Sequence, residues 1–381
     1  MRILHVIASM NPDDGGPPEA VYQMALEAER QGDRAEIVTA DDPKASFLSR
    51  YETPVHAMGP GRFGYGYSPH LRPWLRENLG RFDGVVVHGM WLYHGQALWS
   101  EARKRTPYAI FPHGTLDPYF KQRYPAKHVK KWLHWKLVQY KILRDAKYVL
   151  FTAEAESELA LQPFRPNKWN ALVVPFGTSE PPQDAEGQKE IFFAQCAGLQ
   201  GRRFALFLGR IHDKKGVDLL VQGFAKVAQE APDLHLVIAG PDSEGLQTRL
   251  ILMARELGVA GRIHWVGMLA GAAKWGAIRA SEVFILPSHQ ENFGIAAVEA
   301  MACERPALIT DKVNIWREIV SDGAGLVAAD TLDGTVKLLR GWLHMSAEEK
   351  ARMRIAARES FLRRFSMNAC SRALSGLFAK E

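Results

Sequence analysis

Short apolar runs alternate with amphipathic stretches along the whole chain. In the first half, Ile3 to Ala8, Ala35 to Thr39, Gly84 to His88, Tyr108 to Pro112, Tyr148 to Thr152 and Ala171 to Pro175 read as strands, and helical patterns such as Ala20 to Gln31 separate most of them. This βαβ rhythm predicts a parallel sheet with both faces covered by helices. Pro175-Phe176-Gly177, followed by Pro181-Pro182 and polar residues to Lys189, predicts a linker. A second series follows, with strands at Phe204 to Leu208, Leu234 to Ala239, Arg262 to Val266, Val283 to Leu286, Ala307 to Thr310 and Gly325 to Ala328. Two helical stretches close the chain, Glu348 to Arg363 and Met367 to Phe378. The pattern predicts an α/β protein of two Rossmann-like, doubly wound domains over 1–178 and 179–357. In such folds ligands collect at loops beyond the carboxyl ends of strands.

Length agrees with that division, since 381 residues exceed one ordinary core. Three cysteines, Cys196, Cys303 and Cys370, stand far apart and form no C-x-x-C pair, which fits a reducing compartment and argues against structural zinc. No apolar run reaches bilayer-spanning length, and the apolar start at Met1 to Ala8 is too short for a secretion signal. A net charge of +6 favours anionic partners. Part of it is concentrated between Phe120 and Lys147, where nine lysines and arginines face the single acid Asp145. Val129, Trp132, Leu133, Trp135, Leu137, Val138, Tyr140, Ile142 and Leu143 supply an apolar stripe in the same segment. A basic, Trp-containing amphipathic helix is what lies on an anionic bilayer surface. The plainer reading is a domain helix whose apolar side packs on the sheet. No recognisable nucleic-acid readout module is present, so no nucleic-acid partner is expected.

The chemistry concentrates between Leu286 and Thr310. A strand ends at Leu286, breaks at Pro287-Ser288, passes through a polar loop and enters a short helix at about Ile295. That helix is apolar on every face yet carries Glu299 in its middle, and a buried carboxylate needs donors. Glu291 stands upstream in the loop, with seven residues between the two acids, among them Phe293-Gly294-Ile295. Free amides at the first helical turn form an anion site. Two hydroxyl-accepting carboxylates flanking a phosphate-sized nest suit a nucleotide-sugar. The plain alternative makes Glu291 a solvated loop acid and Glu299 a buried ion-pair member.

The Glu-x7-Glu spacing with its Glu-x-Phe-Gly-Ile core resembles the retaining glycosyltransferases of family four. The resemblance implies that Glu291 contacts the donor sugar, Glu299 the ribose, and the amides of Phe293, Gly294 and Ile295 the diphosphate. It extends to Gly209-Arg210 and Lys215-Gly216, which match the family's phosphate clamp and give Gly209, Arg210 and Lys215. An arginine fork and a lysine point charge on one strand-to-helix loop can converge on a diphosphate. His113-Gly114, at the end of the strand through Phe111, matches the family's His-Gly against the transferred sugar. Gly15-Gly16, before Pro17-Pro18 and a helix, matches the loop that lines the family's cleft. His88-Gly89 ends another strand that could face an acceptor. Phe176 departs from the family's usual Pro-Asn-Gly. The resemblance covers nearly the full length and implies the GT-B fold, two domains facing across a cleft, with the segment 358–381 crossing back to the first domain.

What it implies for function is a hexosyltransferase that moves a sugar from a UDP- or GDP-linked donor to a glycan or lipid-linked acceptor, with retention. Bacterial surface polysaccharide or glycolipid synthesis would be the setting, with the protein cytoplasmic or peripheral on the inner membrane face. Asp-x-Asp occurs nowhere in the chain, so neither metal nor other cofactor is expected. Two alternatives share the architecture: a nucleotide-sugar epimerase, and a nucleotide-sugar-binding protein without catalysis.

Overall fold

The computed structural model describes residues 1–14, 16–103, 105–123, 125–242 and 244–379. The chain divides into two compact units, one comprising Met1–Ser179 with Ser366–Glu381 and the other Glu180–Phe365. Both are α/β units built on a parallel sheet.

The first unit holds β1 (Arg2–Ile7), β2 (Arg34–Thr39), β3 (Val55–Ala57), β4 (Gly84–His88), β5 (Tyr108–Phe111), β6 (Tyr148–Phe151) and β7 (Ala171–Val173) in the order β3-β2-β1-β4-β5-β6-β7. Winding runs outward in both directions from β1 and β4, so the topological switch point lies between them. Alternate residues of a strand face opposite sides. Leu4 and Val6 enter the larger core with Val85, Val87 and Ile110, whereas Ile7 joins Val21, Ala25 and Ile37 beneath the helix Gly16–Arg30. Sequence patterning does not announce β3, whose three residues Val55-His56-Ala57 carry a histidine between two apolar positions, whereas β7, equally short and also at an edge, is apolar throughout.

The second unit holds β8 (Arg203–Leu208), β9 (Leu234–Ala239), β10 (Ile263–Gly267), β11 (Val283–Leu286), β12 (Ala307–Thr310) and β13 (Gly325–Ala328) in the order β10-β9-β8-β11-β12-β13. Its switch point falls between β8 and β11. Every residue of β9, β11 and β12 is buried, which explains why these strands read as apolar runs, interrupted only by His235 in β9 and ended by Thr310 in β12.

The two ends of the expected domain boundaries move for identifiable reasons. Phe176 is buried against Phe111 and His113, so Pro175 to Gly177 belongs to the packed first unit and is not a free linker. The chain changes unit at Ser366, not at 358. The helix Ala347–Ser360 and the turn Phe361–Phe365 remain on the second unit, where Asp322 accepts from Ser360 Oγ at 2.7 Å and Arg364 Nε at 2.8 Å. Met367 N then donates to Thr178 O, and the helix Met367–Phe378 docks on the first unit, with Lys147 Nζ 2.7 Å from Leu377 O. Among the described residues no helix is long and apolar enough to cross a membrane.

Candidate active site

The two switch-point strands of the second unit end in the loops that hold most of the chemistry. After β8 the chain runs through Gly209 and Arg210, makes a single tight turn at Asp213–Lys215 and starts the helix Val217–Val227 from Gly216. Gly216 has φ 63°, and a side-chain carbon there would lie 2.1 Å from Pro287 O. Only glycine permits that conformation at that separation, so this residue lets the loop after β8 press on the loop after β11. His289 N donates to Lys214 O at 2.8 Å and ties the same two loops. Lys215 is thereby delivered to Glu291, whose Oε2 accepts from Nζ. Arg210 is exposed and its guanidinium makes no ion pair or hydrogen bond among the described residues.

Glu291 is fixed through its backbone as well, since its amide donates to Lys312 O at 3.0 Å and its carbonyl accepts from Asn314 N at 3.1 Å. Gly294, with φ 75°, then opens the helix Ile295–Ala302, and no side chain caps the first turn. Its first amides therefore stay available at the positive end of the helix dipole. Phe293 is buried and meets the Phe365 ring edge-on at 5.9 Å, which anchors the loop from beneath. The helix is buried from Ala296 to Ala302, Glu299 included, as its all-round apolar pattern requires.

Both acids carry a lysine partner. Lys274 Nζ lies 2.6 Å from Glu299 Oε1, and the Lys215–Glu291 pair has both side chains 19% exposed. Glu299 is thus the buried ion-pair member of the plainer reading, and Glu291 is not a freely solvated loop acid. Neither pairing exhausts the carboxylate, because Oε2 of Glu299 and Oε1 of Glu291 make no hydrogen bond among the described residues. An ionised carboxylate accepts at about four positions, so one ammonium leaves room for hydroxyl donors. Lys274, on the helix Gly271–Ala280 and stacked 4.5 Å over Trp275, is a site residue that sequence reasoning missed. A lone lysine far upstream of its partner gives no signal in a single sequence.

In the first unit, His113 follows β5 with φ 50°, a left-handed conformation uncommon for any residue but glycine. The surroundings hold it there. Gly114 N donates to Oε1 of the buried Glu156 at 2.7 Å, whose Oε2 accepts from Thr152 N and Thr152 Oγ1, both at 2.8 Å. The imidazole stacks on Phe111 at 5.4 Å and meets Phe176 edge-on at 5.8 Å. Phe176, the residue that departs from the family pattern, therefore packs directly against His113. Glu156 was not identified from sequence, where it is one of four glutamates between Glu154 and Glu180. Gly16 begins the first helix in open space, whereas Gly15 lies outside the described residues. Gly209 is half-buried beside Phe207.

Burial pushes the imidazoles of His5, His94 and His113 down to about 4, and that of His88 well below its ordinary value. Unfolded histidines take up a proton below about 6.5. Between there and 4 the unfolded chain binds more protons than the folded one, so stability is complete above the window and falls as pH drops through it. Urea midpoints should decline steeply from pH 7 to pH 5; a flat profile would show that these rings titrate normally.

Comparison with known proteins follows the two units. A family model described as glycosyl transferases group 1 matches residues 188–360, and one described as a glycosyl transferase 4-like domain matches residues 15–177. A GDP-mannose:cellobiosyl-diphosphopolyprenol alpha-mannosyltransferase of Xanthomonas campestris is 24% identical over 86% of this chain and 83% of that protein. Mannosylfructose-phosphate synthase of Agrobacterium fabrum is 29% identical over 50% of this chain, which spans 43% of that relative's length. The crystal structure of Anabaena HepE in complex with UDP and glucose shares the fold, with a TM-score of 0.71 and 16% identity over 99% of this chain and 98% of that one.

Proposed function

The chain belongs to the glycosyl transferases of group 1, with a glycosyl transferase 4-like domain ahead of the group 1 domain, and from that premise we propose a retaining, metal-independent hexosyltransferase using a nucleoside diphosphate sugar. The observation that carries the proposal is the seating of Lys215 on Glu291 where the loops after β8 and β11 meet, beside an uncapped helix start at Gly294. A diphosphate placed there would meet a lysine, the guanidinium of Arg210, unpaired among the described residues, and oriented amides of Phe293, Gly294 and Ile295. Glu291 would accept from hydroxyls of the sugar and Glu299 from those of the ribose.

Transfer breaks the bond between the anomeric carbon and the β-phosphate oxygen, and the electron pair leaves with the phosphate. The acceptor oxygen bonds to the same face of the carbon, and its proton passes to the departing phosphate oxygen. Charge develops on the leaving group, so fixed cations and amides that need no reorganisation supply most of the acceleration. These groups do the work that a bridging metal would do elsewhere. His113 orients the transferred sugar. Incubation of the full chain with UDP- and GDP-hexoses in EDTA should give nucleoside diphosphate with an α-linked product from an α-linked donor. Epimerised donor, or no turnover with any acceptor or water, would refute the proposal.

The acceptor side is proposed to be a glycan or lipid carrier at an anionic membrane surface, the setting of surface-glycan assembly. The basic segment supports this. The helix Pro125–His134 has no buried residue, and Val129, Leu133 and Leu137 are between 57% and 67% exposed, while Trp135, Ile142 and Leu143 farther along are buried in the core. The segment therefore packs as a domain helix through Trp135, Ile142 and Leu143, while Val129, Leu133 and Leu137 offer apolar side chains among lysines. Lys136 lies 4.0 Å over the Trp132 ring, at the same face. Exchanging Lys130, Lys131 and Lys136 for Glu should reduce co-sedimentation with phosphatidylserine vesicles by at least about tenfold, given roughly 1 kcal/mol per basic residue near such a surface. Unchanged sedimentation would leave the segment as packing only.

A further inference from the structure

The β1–β4 switch point of the first unit contains a file of three histidines that ends at His113. His5 Nδ1 lies 2.9 Å from His88 Nε2, and His88 Nδ1 lies 3.2 Å from His113 Nε2. His5 on β1 and His88 on β4 are 1% and 2% exposed, and the rings of His88, Phe111 and His113 cluster with centroids 5.4 to 5.6 Å apart. Polar side chains are rare in the middle of a doubly covered parallel sheet, and among the described residues the ring nitrogens of these two hydrogen-bond only to each other and to the residue at the strand end.

A neutral imidazole carries one N–H and one bare nitrogen. Each of the two contacts takes one hydrogen, so the file has only two self-consistent arrangements. In one, every hydrogen points towards His113: His5 Nδ1–H donates to His88 Nε2, His88 Nδ1–H donates to His113 Nε2, and His113 is left with Nδ1–H. In the other, every hydrogen points towards His5, which leaves His113 with a bare Nδ1 and His5 with an inward Nε2–H. The outer nitrogens of His5 and His113 make no hydrogen bond among the described residues. His5 is 1% exposed, so the first arrangement leaves a bare nitrogen in a nearly dry position and the second leaves there an N–H with no partner among the described residues, which folded proteins tolerate less. The neighbouring His94 is also held in one tautomer, by the carbonyl it faces. Its Nε2 donates to His88 O at 3.0 Å, so its buried Nδ1 is bare, and that atom has no partner.

The geometry points to His5 and His88 as positioning residues that hold His113 in a single tautomer, with Nδ1–H presented as a fixed donor to an oxygen of the substrate. The file acts through His113 alone, and its catalytic consequence rests on the role proposed for His113 above. A donor locked in place suits a sugar hydroxyl or phosphate oxygen, whereas an imidazole free to exchange tautomers would present a donor only part of the time.

Histidine-selective 15N NMR on the full-length chain tests the tautomer without reference to turnover, with the His113 signals assigned by their loss in His113→Gln. The expected wild-type pattern is a protonated Nδ1 and a bare Nε2. His5→Leu removes the donor at the head of the file and should convert His113 to a mixture of tautomers. His5→Asn, whose amide reaches the position of Nδ1, should restore the single form. If the chain turns over a nucleotide-sugar, His5→Leu should lower kcat on the order of tenfold with KM within twofold, and His5→Asn should recover it. A wild-type His113 protonated at Nε2, or a spectrum unchanged by His5→Leu, overturns the inference. The wild-type measurement decides the matter even where a variant fails to fold, and it stands whether or not sugar transfer is found.

Discussion

Replacing Lys215 by Ala is expected to lower turnover about a thousandfold while leaving the fold intact, the scale of removing one preorganised charge-stabilising donor. The lysine sits on a loop whose shape is imposed by Gly216 and by the contact with Pro287, so the backbone should survive loss of the side chain. The structure adds a condition that a diphosphate clamp alone would not predict. Lys215 is bonded to Glu291, so Glu291→Gln should also reduce kcat, and the double variant should be little worse than Lys215→Ala alone. Additive losses would mean that the two side chains act independently. Near-normal transfer by Lys215→Ala would remove the clamp altogether. Because the pair is partly exposed, its direct contribution to stability should be small.

Glu299→Leu is the second large effect, and it separates binding from chemistry. If Glu299 accepts from ribose hydroxyls, the change removes charge-assisted hydrogen bonds of about 1.5–3 kcal/mol, or roughly ten- to a hundredfold in donor affinity. It also leaves Lys274 without its carboxylate. Loss of one partner from a fully buried pair costs about 3–5 kcal/mol, and the cost here should be lower because the Lys274 side chain is 22% exposed. Lys274→Met alone should therefore destabilise the protein, while Lys274→Met with Glu299→Leu should recover stability but not donor affinity. Calorimetric titration of nucleoside diphosphate against these three variants, with urea midpoints measured in parallel, distinguishes the roles. Unchanged affinity in Glu299→Leu would make the residue purely structural.

Much of this architecture is legible in the sequence because a parallel sheet buried on both faces imposes apolar runs such as Leu234 to Ala239 and Val283 to Leu286. The helix holding Glu299 is legible for the same reason, since an apolar segment with one acid in it has few places to be. The partners are not. Lys274 and Glu156 contact site residues through long-range folding, and a single sequence does not record who meets whom. His5 is hidden differently: in an apolar strand, one histidine looks like an exception to the pattern, and only the pairing of β1 with β4, which sets His5 opposite Val86 and His88 opposite Ile7, brings the two rings within hydrogen-bond distance. Phe176 reads as a departure within a linker until its ring is found against His113. The change of unit at Ser366 is likewise set by contacts, Arg364 on Asp322 and Met367 on Thr178, that leave no local composition mark.

The central claim is that a nucleoside diphosphate is held by Lys215, Arg210 and the start of the helix at Ile295 without a metal. Thermal unfolding of the full chain in EDTA, with UDP, GDP and ADP in turn, tests it most directly. One of the three at about a hundred times its Kd should stabilise the wild type by about 2.7 kcal/mol, and Lys215→Ala should abolish most of that gain. No stabilisation by any of them at millimolar concentration, or stabilisation that appears only when divalent metal is restored, would contradict it.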